Sequence, residues 1–336
     1  MIVKIKTNDL KVGMHVIIPE SWSNHPFARN SFNITSRDQI QKISKHGFDE
    51  VSTDTDKGFP IANFEEIGHS DNKIAPLKVW EPERLVPSDL REAIHDMTLP
   101  PERKAKVVYR SSVELMGRLL DDPKTENIAE AKHAITDIVD MVLLQEDTSL
   151  YLLRITSHDF YTYVHSVNVG FLGILLSIRL LKNSQSHNMH ELGAGFFLHD
   201  LGKVRVDPAI INKQGRLTED EMKKVRIHPY QSYLMLKEAN QLSDECGIIA
   251  LQHHEREDGK GYPKRLMGDE IHTYGRICCI ADVFDALTAE RSYKARLTAF
   301  EALRIMKEEM LNHFHREIFE QFVLMFMESG IKKTAQ

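Results

Sequence analysis

The sequence has few cysteines and no excess of positive charge. Three cysteines occur among 336 residues, Cys246 and the adjacent pair Cys278 and Cys279, without Cys-x-x-Cys spacing. This excludes a zinc ribbon or a dithiol centre, and it predicts buried thiols in a reducing compartment. A total of 43 Lys and Arg against 49 Asp and Glu argues against duplex nucleic acid as the main partner.

The sequence also contains no long uninterrupted apolar segment. Its most apolar run, VGFLGILLSIRLL, covers residues 169–181, is too short to span a bilayer and contains Arg179. The N-terminal stretch MIVKIKTNDLKVGMHVIIPE has no apolar segment followed by a small-residue cleavage site. We therefore expect a cytoplasmic protein without a membrane span.

Hydrophobic patterning predicts three regions and a mainly α fold. Residues 1–65 contain short alternating apolar runs between turn formers, which predicts a small β-rich regulatory domain. Residues 66–103 contain prolines and little periodicity, which predicts a linker with a short helix capped by Ser88 or Asp89. Residues 104–332 repeat apolar positions at spacings of three and four, which predicts an all-α domain. The clearest helical patterns cover residues 36–47, 164–181, 189–201, 219–239, 243–253, 276–290 and 299–310.

Histidines and aspartates on these helices have the chemistry of metal ligands. LHDLGK places His199 and Asp200 at the end of an apolar helix, with Lys203 one turn further on. Taken alone, this dyad is as typical of a capped helix end as of a metal site. Further candidates, each flanked by apolar residues at helical spacing, are His165, His228, His253, His254 and Asp282.

Taken together, these positions supply five imidazoles and two carboxylates. Such a mixed nitrogen and oxygen set suits a pair of iron, manganese or zinc ions. Asp200 is the natural candidate for a carboxylate that bridges two ions, which would clamp both oxygens of a phosphoryl displacement. The pattern predicts a binuclear hydrolase.

Four motifs, YTYVHSVNV, LHDLGK, HHEREDGKGYP and IADVFDALTAERSYK, resemble in order and spacing those of the HD-GYP phosphodiesterases. The resemblance runs from about His158 to Phe326. It implies an all-α domain of the HD superfamily that binds two or three metal ions and hydrolyses cyclic dinucleotides, bacterial second messengers. The N-terminal residues resemble a domain of unknown function often found before HD-GYP modules.

The resemblance also implies roles for individual residues. Lys203 would stabilise charge on the phosphate and, with Asp200, belong to the catalytic residues. Tyr262, Arg291 and Lys294 would contact guanine or phosphate. The implied metal ligands are His165, His199, Asp200, His228, His253, His254 and Asp282.

The number of metal ions depends on one departure from the family pattern. Family members with a third metal have a glutamate one turn before the first histidine ligand, where this sequence has Tyr161. We therefore predict two divalent ions, iron or manganese before nickel or zinc. His158 and Asp159 could substitute, so further cleavage to mononucleotides is left open.

The long Gly-Tyr-Pro motif predicts a loop that folds back on the site. Gly259 and Gly261 would permit a sharp turn beside His253 and His254. Each of these two histidines could bind one metal ion. Tyr262 would then reach a base or a phosphate. The same motif disfavours triphosphate or alarmone hydrolysis and di-iron oxygenation, which do not require it.

In the expected reaction, a hydroxide bridging the two metals attacks phosphorus in line with the departing 3′ oxygen. The first product is a linear 5′-phosphorylated dinucleotide. Asp285 either orients a ligand histidine or lies on the helix surface. The choice between cyclic di-GMP and 3′,3′-cyclic GMP-AMP stays open, and the alternative is a catalytically silent sensor or scaffold. The N-terminal domain would mediate homodimer formation or bind a regulatory protein partner.

Overall fold

A computed structural model describes residues 2–11, 14–18, 31–34, 37–45, 48–54, 85–156, 162–181, 186–211, 213, 215–289 and 297–328. The chain separates into two compact units, Met1–Pro82 and Glu83–Gln336. The domain boundaries predicted at residues 65 and 103 stay a prediction.

The N-terminal unit contains a small antiparallel sheet with strand order β1-β4-β2-β3. Its described elements are β1 (Ile2–Lys6), β2 (His15–Ile17), β3 (Ser31–Asn33), α1 (Arg37–Lys45) and β4 (Glu50–Asp54). Alternating residues of β2 and β4 point into a separate small core. The buried members of that core are Leu10, Val16, Ile18, Ile34, Ile43 and Val51. The β-rich prediction for this region is confirmed.

The described residues of the second unit form α-helices and short 3-10 turns joined by loops, with no strand among them, as predicted. Its helices are α2 (Ser88–His95), α3 (Pro101–Asp121), α4 (Thr125–Leu144), α5 (Glu146–Ile155), α6 (Thr162–Leu181), α7 (Met189–Leu198), α8 (Pro208–Ile211), α9 (Glu219–Val225), α10 (His228–Glu238), α11 (Asp244–Gln252), α12 (Thr273–Thr288), α13 (Ala299–Glu309) and α14 (Arg316–Glu328). One continuous apolar core joins these helices except α8 and α9, and it includes Leu85, Val86 and Leu90 from the predicted linker.

The central helix is α6, which contacts α3, α7 and α12. Its stretch Val164–Leu181 is 18 residues long and, by length and composition, apolar enough to cross a membrane, so the stretch considered from the sequence, residues 169–181, was too short. However, 72% of the stretch is buried inside the protein. A helix that is apolar on all sides is expected where neighbouring helices surround it, as they do here.

The predicted single helix over residues 219–239 is also wrong, because α9 ends at Val225 and α10 begins at His228. Pro229 explains the interruption, since proline lacks an amide N–H and its ring clashes with the carbonyl four residues earlier. The break sets His228 at a helix start. Similarly, α7 ends at Leu198, and residues Leu201–Arg205 form a 3-10 turn.

Two smaller details differ from the predicted pattern. Pro87, rather than Ser88 or Asp89, occupies the N-cap of α2 and makes no side-chain cap. Helix α14 was not predicted, although it contributes Phe319 and Phe322 to the core.

Candidate metal centre

Three histidines stand at helix ends and are oriented in the same way. His199 and His253 directly follow α7 and α11, and His228 begins α10 just beyond the end of α9. Each Nδ1 donates a hydrogen bond to the main-chain carbonyl three residues earlier, where a helix end leaves carbonyls without helical partners. The distances are 2.7 Å to Phe196 O for His199, 2.7 Å to Val225 O for His228 and 3.0 Å to Ala250 O for His253.

These hydrogen bonds determine the tautomer of each ring. A carbonyl oxygen only accepts, so Nδ1 must carry the proton, and Nε2 of the neutral ring keeps a lone pair. The Nε2 atoms of His228 and His253 face each other at 3.1 Å. The three rings therefore present unprotonated nitrogens to a common interior.

The seven predicted ligands converge into two adjacent groups. Within each group the donor atoms lie within 4.8 Å of one another. The first group, called group A, comprises His165, His199 and Asp282, and the second, group B, comprises Asp200, His228, His253 and His254. Both adjacent histidines thus fall in group B rather than one in each group, although His254 Nδ1 lies 3.4 Å from Asp282 Oδ2.

The Asp200 carboxylate connects the two groups. Its Oδ2 lies 3.3 Å from His165 Nε2 and 3.4 Å from His199 Nε2, both in group A. Its Oδ1 lies 3.1 Å from His228 Nε2 and 3.7 Å from His253 Nε2, both in group B. Each oxygen is therefore directed at a different set of nitrogens, which is the arrangement of a bridging carboxylate.

The donor atoms fit divalent cations. His199 Nε2 and Asp200 Oδ1 are buried and have no hydrogen-bond partner within the part of the chain that the structure describes. Buried lone pairs that face one another without a proton between them are unfavourable, and a cation between them removes that cost. Imidazole nitrogen with carboxylate oxygen is a donor set that iron, manganese, nickel and zinc accept.

His165 lies in the first turn of α6, within the helix rather than beyond its end, and its ring is oriented by side chains. Its Nδ1 donates to Asp285 Oδ2 at 2.7 Å, and its Nε2 lies 3.1 Å from Asp282 Oδ1. Asp285 lies one turn after Asp282 on α12 and is only 2% exposed. The interpretation of Asp285 as a surface carboxylate is therefore wrong, and it orients the ring of His165, a predicted ligand.

The charges in the centre shift the pKa of several side chains. Burial acts to lower the pKa of His165, but hydrogen bonds to the carboxylates of Asp200, Asp282 and Asp285 outweigh burial and raise that pKa well above its ordinary value. Burial acts to raise the pKa of Asp200, but the charges of Lys203 and His199 hold it well below the ordinary range.

Asp282 and the adjacent histidines show the same opposition of burial and charge. Burial would raise the pKa of Asp282, yet the His165 hydrogen bond and the His254 charge lower it. Burial lowers the pKa of His254 to about 3 and, with the neighbouring imidazoles, lowers that of His253 well below its ordinary value. Ionised carboxylates with neutral imidazoles are the protonation states that bind metal ions.

The loop after His254 folds back as predicted. Gly259 has a φ of +69°, and a Cβ on Gly261 would lie 2.6 Å from Glu255 Cα, so both positions favour glycine. The Glu255 carboxylate, which sequence reasoning did not identify, accepts hydrogen bonds from Lys264 N at 2.7 Å and Leu266 N at 3.0 Å. This buried carboxylate fixes the returning part of the loop.

Tyr262 in this loop lies against group B. Its ring centroid is 4.6 Å from that of His254, with the rings tilted by 32°. The Arg226 guanidinium carbon lies 5.4 Å from the Tyr262 ring centroid, within cation–π range. Arg226 is exposed and forms no ion pair within the described residues. Sequence reasoning missed Arg226, although its position two residues before His228 was a usable signal.

Lys203 reaches the centre from the 3-10 turn. Its ammonium forms an ion pair with Asp200 Oδ2, and the Lys203 side chain as a whole is 24% exposed. Arg291 and Lys294 lie outside the described residues, as do His158, Asp159 and Tyr161. The roles predicted for these five residues stay predictions.

Two family models match the chain. The model described as an HD domain matches residues 152–318, and a domain of unknown function (DUF3391) matches residues 2–134. The solved structure of Bd1817, a HDG"Y"P protein from Bdellovibrio bacteriovorus, superimposes with a TM-score of 0.60 over 97% of this chain and 100% of that protein. At 14% identity this similarity supports the fold alone.

Curated relatives extend the comparison to sequence. A cyclic di-GMP phosphodiesterase of Pseudomonas aeruginosa is 34% identical over 326 residues, which cover 96% of this chain and 76% of the relative. The 3′3′-cGAMP-specific phosphodiesterase 3 of Vibrio cholerae is 37% identical over 159 residues, or 47% of this chain and 34% of that relative. The chain thus spans about a third of the second relative's length.

Fold and site together define a helical protein with a candidate centre for metal ions. The family model, the long match to the Pseudomonas relative and the Gly-Tyr-Pro loop agree on one class. The chain belongs to the HD-GYP family of cyclic dinucleotide phosphodiesterases, which are phosphoric diester hydrolases.

Proposed function

We propose that this chain hydrolyses a bacterial cyclic dinucleotide, cyclic di-GMP or 3′,3′-cyclic GMP-AMP, to the linear 5′-phosphorylated dinucleotide. The observation that carries the proposal is the Asp200 carboxylate, which directs one oxygen to each of two adjacent donor groups. Relatives named for each of the two substrates support both as candidates.

Two divalent ions would bind in groups A and B and share Asp200. When bound, they would supply an activated water at neutral pH and neutralise charge on the phosphate. Imidazole and carboxylate donors accept iron, manganese, nickel or zinc, and the family resemblance favours iron or manganese among them. Cleavage beyond the linear dinucleotide is not part of this proposal.

The protein's own side chains would position and stabilise the reacting phosphodiester. Lys203 carries its ammonium beside Asp200 and is partly exposed, so it can contact a non-bridging phosphate oxygen and stabilise negative charge. The Tyr262 ring with Arg226 offers a face for a base and a cation for a second phosphate. Arg291 and Lys294 would add further substrate contacts.

The test is turnover of cyclic di-GMP and 3′,3′-cyclic GMP-AMP, measured side by side on protein purified anaerobically and reconstituted with iron or manganese. Metal content and products are quantified in the same samples. We expect metal-dependent formation of the linear dinucleotide from at least one substrate. Fully metal-loaded protein that cleaves neither would contradict the proposal and favour a silent sensor or scaffold.

A further inference from the structure

A chain of buried hydrogen bonds runs outward from the metal centre. His165 Nδ1 donates to Asp285 Oδ2 at 2.7 Å, and Asn168 Nδ2 donates to Asp285 Oδ1 at 2.6 Å. The Tyr109 hydroxyl then donates to Asn168 Oδ1 at 2.8 Å. Four side chains from three helices, α3, α6 and α12, are thereby connected.

The direction of every hydrogen bond in this chain follows from its chemistry. An ionised Asp285 only accepts, so His165 Nδ1 and Asn168 Nδ2 must both donate to it. If the Asn168 amide were reversed, its oxygen would face the Asp285 carboxylate. The Tyr109 hydroxyl opposes that reversal, because it has a proton to donate to the amide oxygen.

From this geometry we infer that Tyr109 is a positioning residue of the metal centre. It holds the Asn168 amide, the amide holds the Asp285 carboxylate, and the carboxylate keeps the proton on His165 Nδ1. With a metal ion bound, His165 Nε2 would present its lone pair beside Asp200 and Asp282, whose oxygens lie 3.3 Å and 3.1 Å away. Hydrogen bonds of this kind orient metal-bound imidazoles and raise their basicity.

Tyr109 lies outside the part of the chain that matches the HD domain. Tyr109 lies on α3, outside the residues 152–318 that match the HD domain and inside the residues 2–134 that match the domain of unknown function. The metal centre would therefore depend on a helix that the HD-domain match does not include. The inference rests on the proposed function, since it requires His165 to bind a metal ion.

The variant Tyr109→Phe removes the hydroxyl and keeps the ring, which stacks on Phe171 at 6.3 Å. Tyr274→Phe is the matched control, because Tyr274 is also buried and its hydroxyl is hydrogen-bonded to a histidine, His187, outside both ligand groups. Tyr109→Phe loses one buried hydroxyl contact and Tyr274→Phe one partly buried hydroxyl contact, so both variants are expected to lose some thermal stability.

The readouts are Co²⁺ affinity, measured by chelator competition on the full chain, and the visible absorption spectrum of the Co²⁺ protein. We expect Tyr109→Phe to weaken the affinity by about three- to tenfold and to change the spectrum, a smaller loss than the roughly 10- to 100-fold that is typical when a direct partner of a ligand is replaced. Tyr274→Phe should match the wild type in both. Asn168→Asp, which replaces the donating N–H by an oxygen, should show a larger loss of Co²⁺ affinity. This variant tests the same chain of hydrogen bonds if Tyr109→Phe fails to fold.

Wild-type affinity and spectrum in Tyr109→Phe would overturn the inference, and so would equal changes in Tyr109→Phe and Tyr274→Phe. Failure of the proposed function has a different signature. Wild-type protein that binds Co²⁺ but cleaves neither substrate would contradict the function and leave the inference standing, whereas wild-type protein that binds no Co²⁺ would contradict both.

Discussion

This protein orients its predicted ligands in two ways, one just beyond the C-terminal end of a helix and the other within a helix. His199, His228 and His253 follow or begin helices, and main-chain carbonyls orient their rings. His165 lies inside α6, where the carbonyls are already engaged, and a side-chain carboxylate orients it instead. Orientation by the main chain persists through most substitutions, whereas orientation by side chains can be lost through one. Sensitive positions beyond the ligands should therefore cluster around His165.

The largest effect is expected where both kinds of ligand meet. Asp200→Ala removes the carboxylate shared by groups A and B, so both metal ions should be lost. Turnover should fall by more than about a thousandfold, because several kcal/mol of transition-state stabilisation depend on the metals. Asp207→Ala is the control, since Asp207 is exposed and its carboxylate, outside groups A and B, accepts a hydrogen bond from Ala209 N at 2.8 Å. Full metal content and turnover in Asp200→Ala would show that the site is wrong.

The next largest effect distinguishes the two means of orientation. Asp285→Asn keeps the shape but offers His165 a weaker acceptor, and we expect metal affinity to fall about 10- to 100-fold. Chelator competition measures this loss. Asp140→Asn is the control, because Asp140 contacts His190 Nε2 at 2.7 Å on the surface and should leave metal affinity unchanged. Equal metal affinities in both variants would remove the contrast between ligands beyond a helix end and a ligand within a helix.

A smaller effect is expected from Arg226, which adjoins the start of α10 but is not itself a predicted metal ligand. Arg226→Ala loses the cation–π contact and a phosphate partner, so KM should rise about two- to fivefold, equivalent to about 0.5–1 kcal/mol. The value of kcat should stay near that of the wild type. Arg205→Ala, which removes a cation paired with Glu238, is the control. A changed kcat with an unchanged KM would contradict a role in substrate binding.

The smallest effect is expected from Tyr262→Phe. The Phe ring can still pack against His254, and only the hydroxyl is removed. We therefore expect KM to rise by no more than about threefold, with kcat and metal content unchanged, since a single neutral hydrogen bond contributes about 1 kcal/mol or less. Steady-state kinetics with one cyclic dinucleotide would measure this. A loss of kcat exceeding tenfold would instead place the hydroxyl in the chemical step.

Sequence patterns indicated the ligands better than they indicated the residues that hold them. The seven proposed ligands are His and Asp in motifs with characteristic spacing, and the structure brings all seven together. The helix break before His228 was missed because the apolar period continues across Pro229. The hydrogen bonds from Lys264 N and Leu266 N to the Glu255 carboxylate depend on the path of the loop. Hydrophobic periodicity carries no information about that path.

Contacts between distant helices explain the remaining differences. Asn168 was identifiable in principle, because it lies one turn after His165 on the same face of α6. Tyr109 was not, since 59 residues separate it from Asn168 and only packing brings them together. The same holds for α6, whose composition alone resembles a membrane span and whose burial depends on its neighbours.

The central claim is that groups A and B bind two metal ions that share Asp200. The most direct measurement is metal stoichiometry of the full chain after anaerobic reconstitution with Mn²⁺, combined with electron paramagnetic resonance of the same sample. We predict two Mn²⁺ per chain with the signature of a spin-coupled pair, reduced to uncoupled or absent metal in Asp200→Ala. One Mn²⁺ per chain, or two without coupling, would contradict the claim.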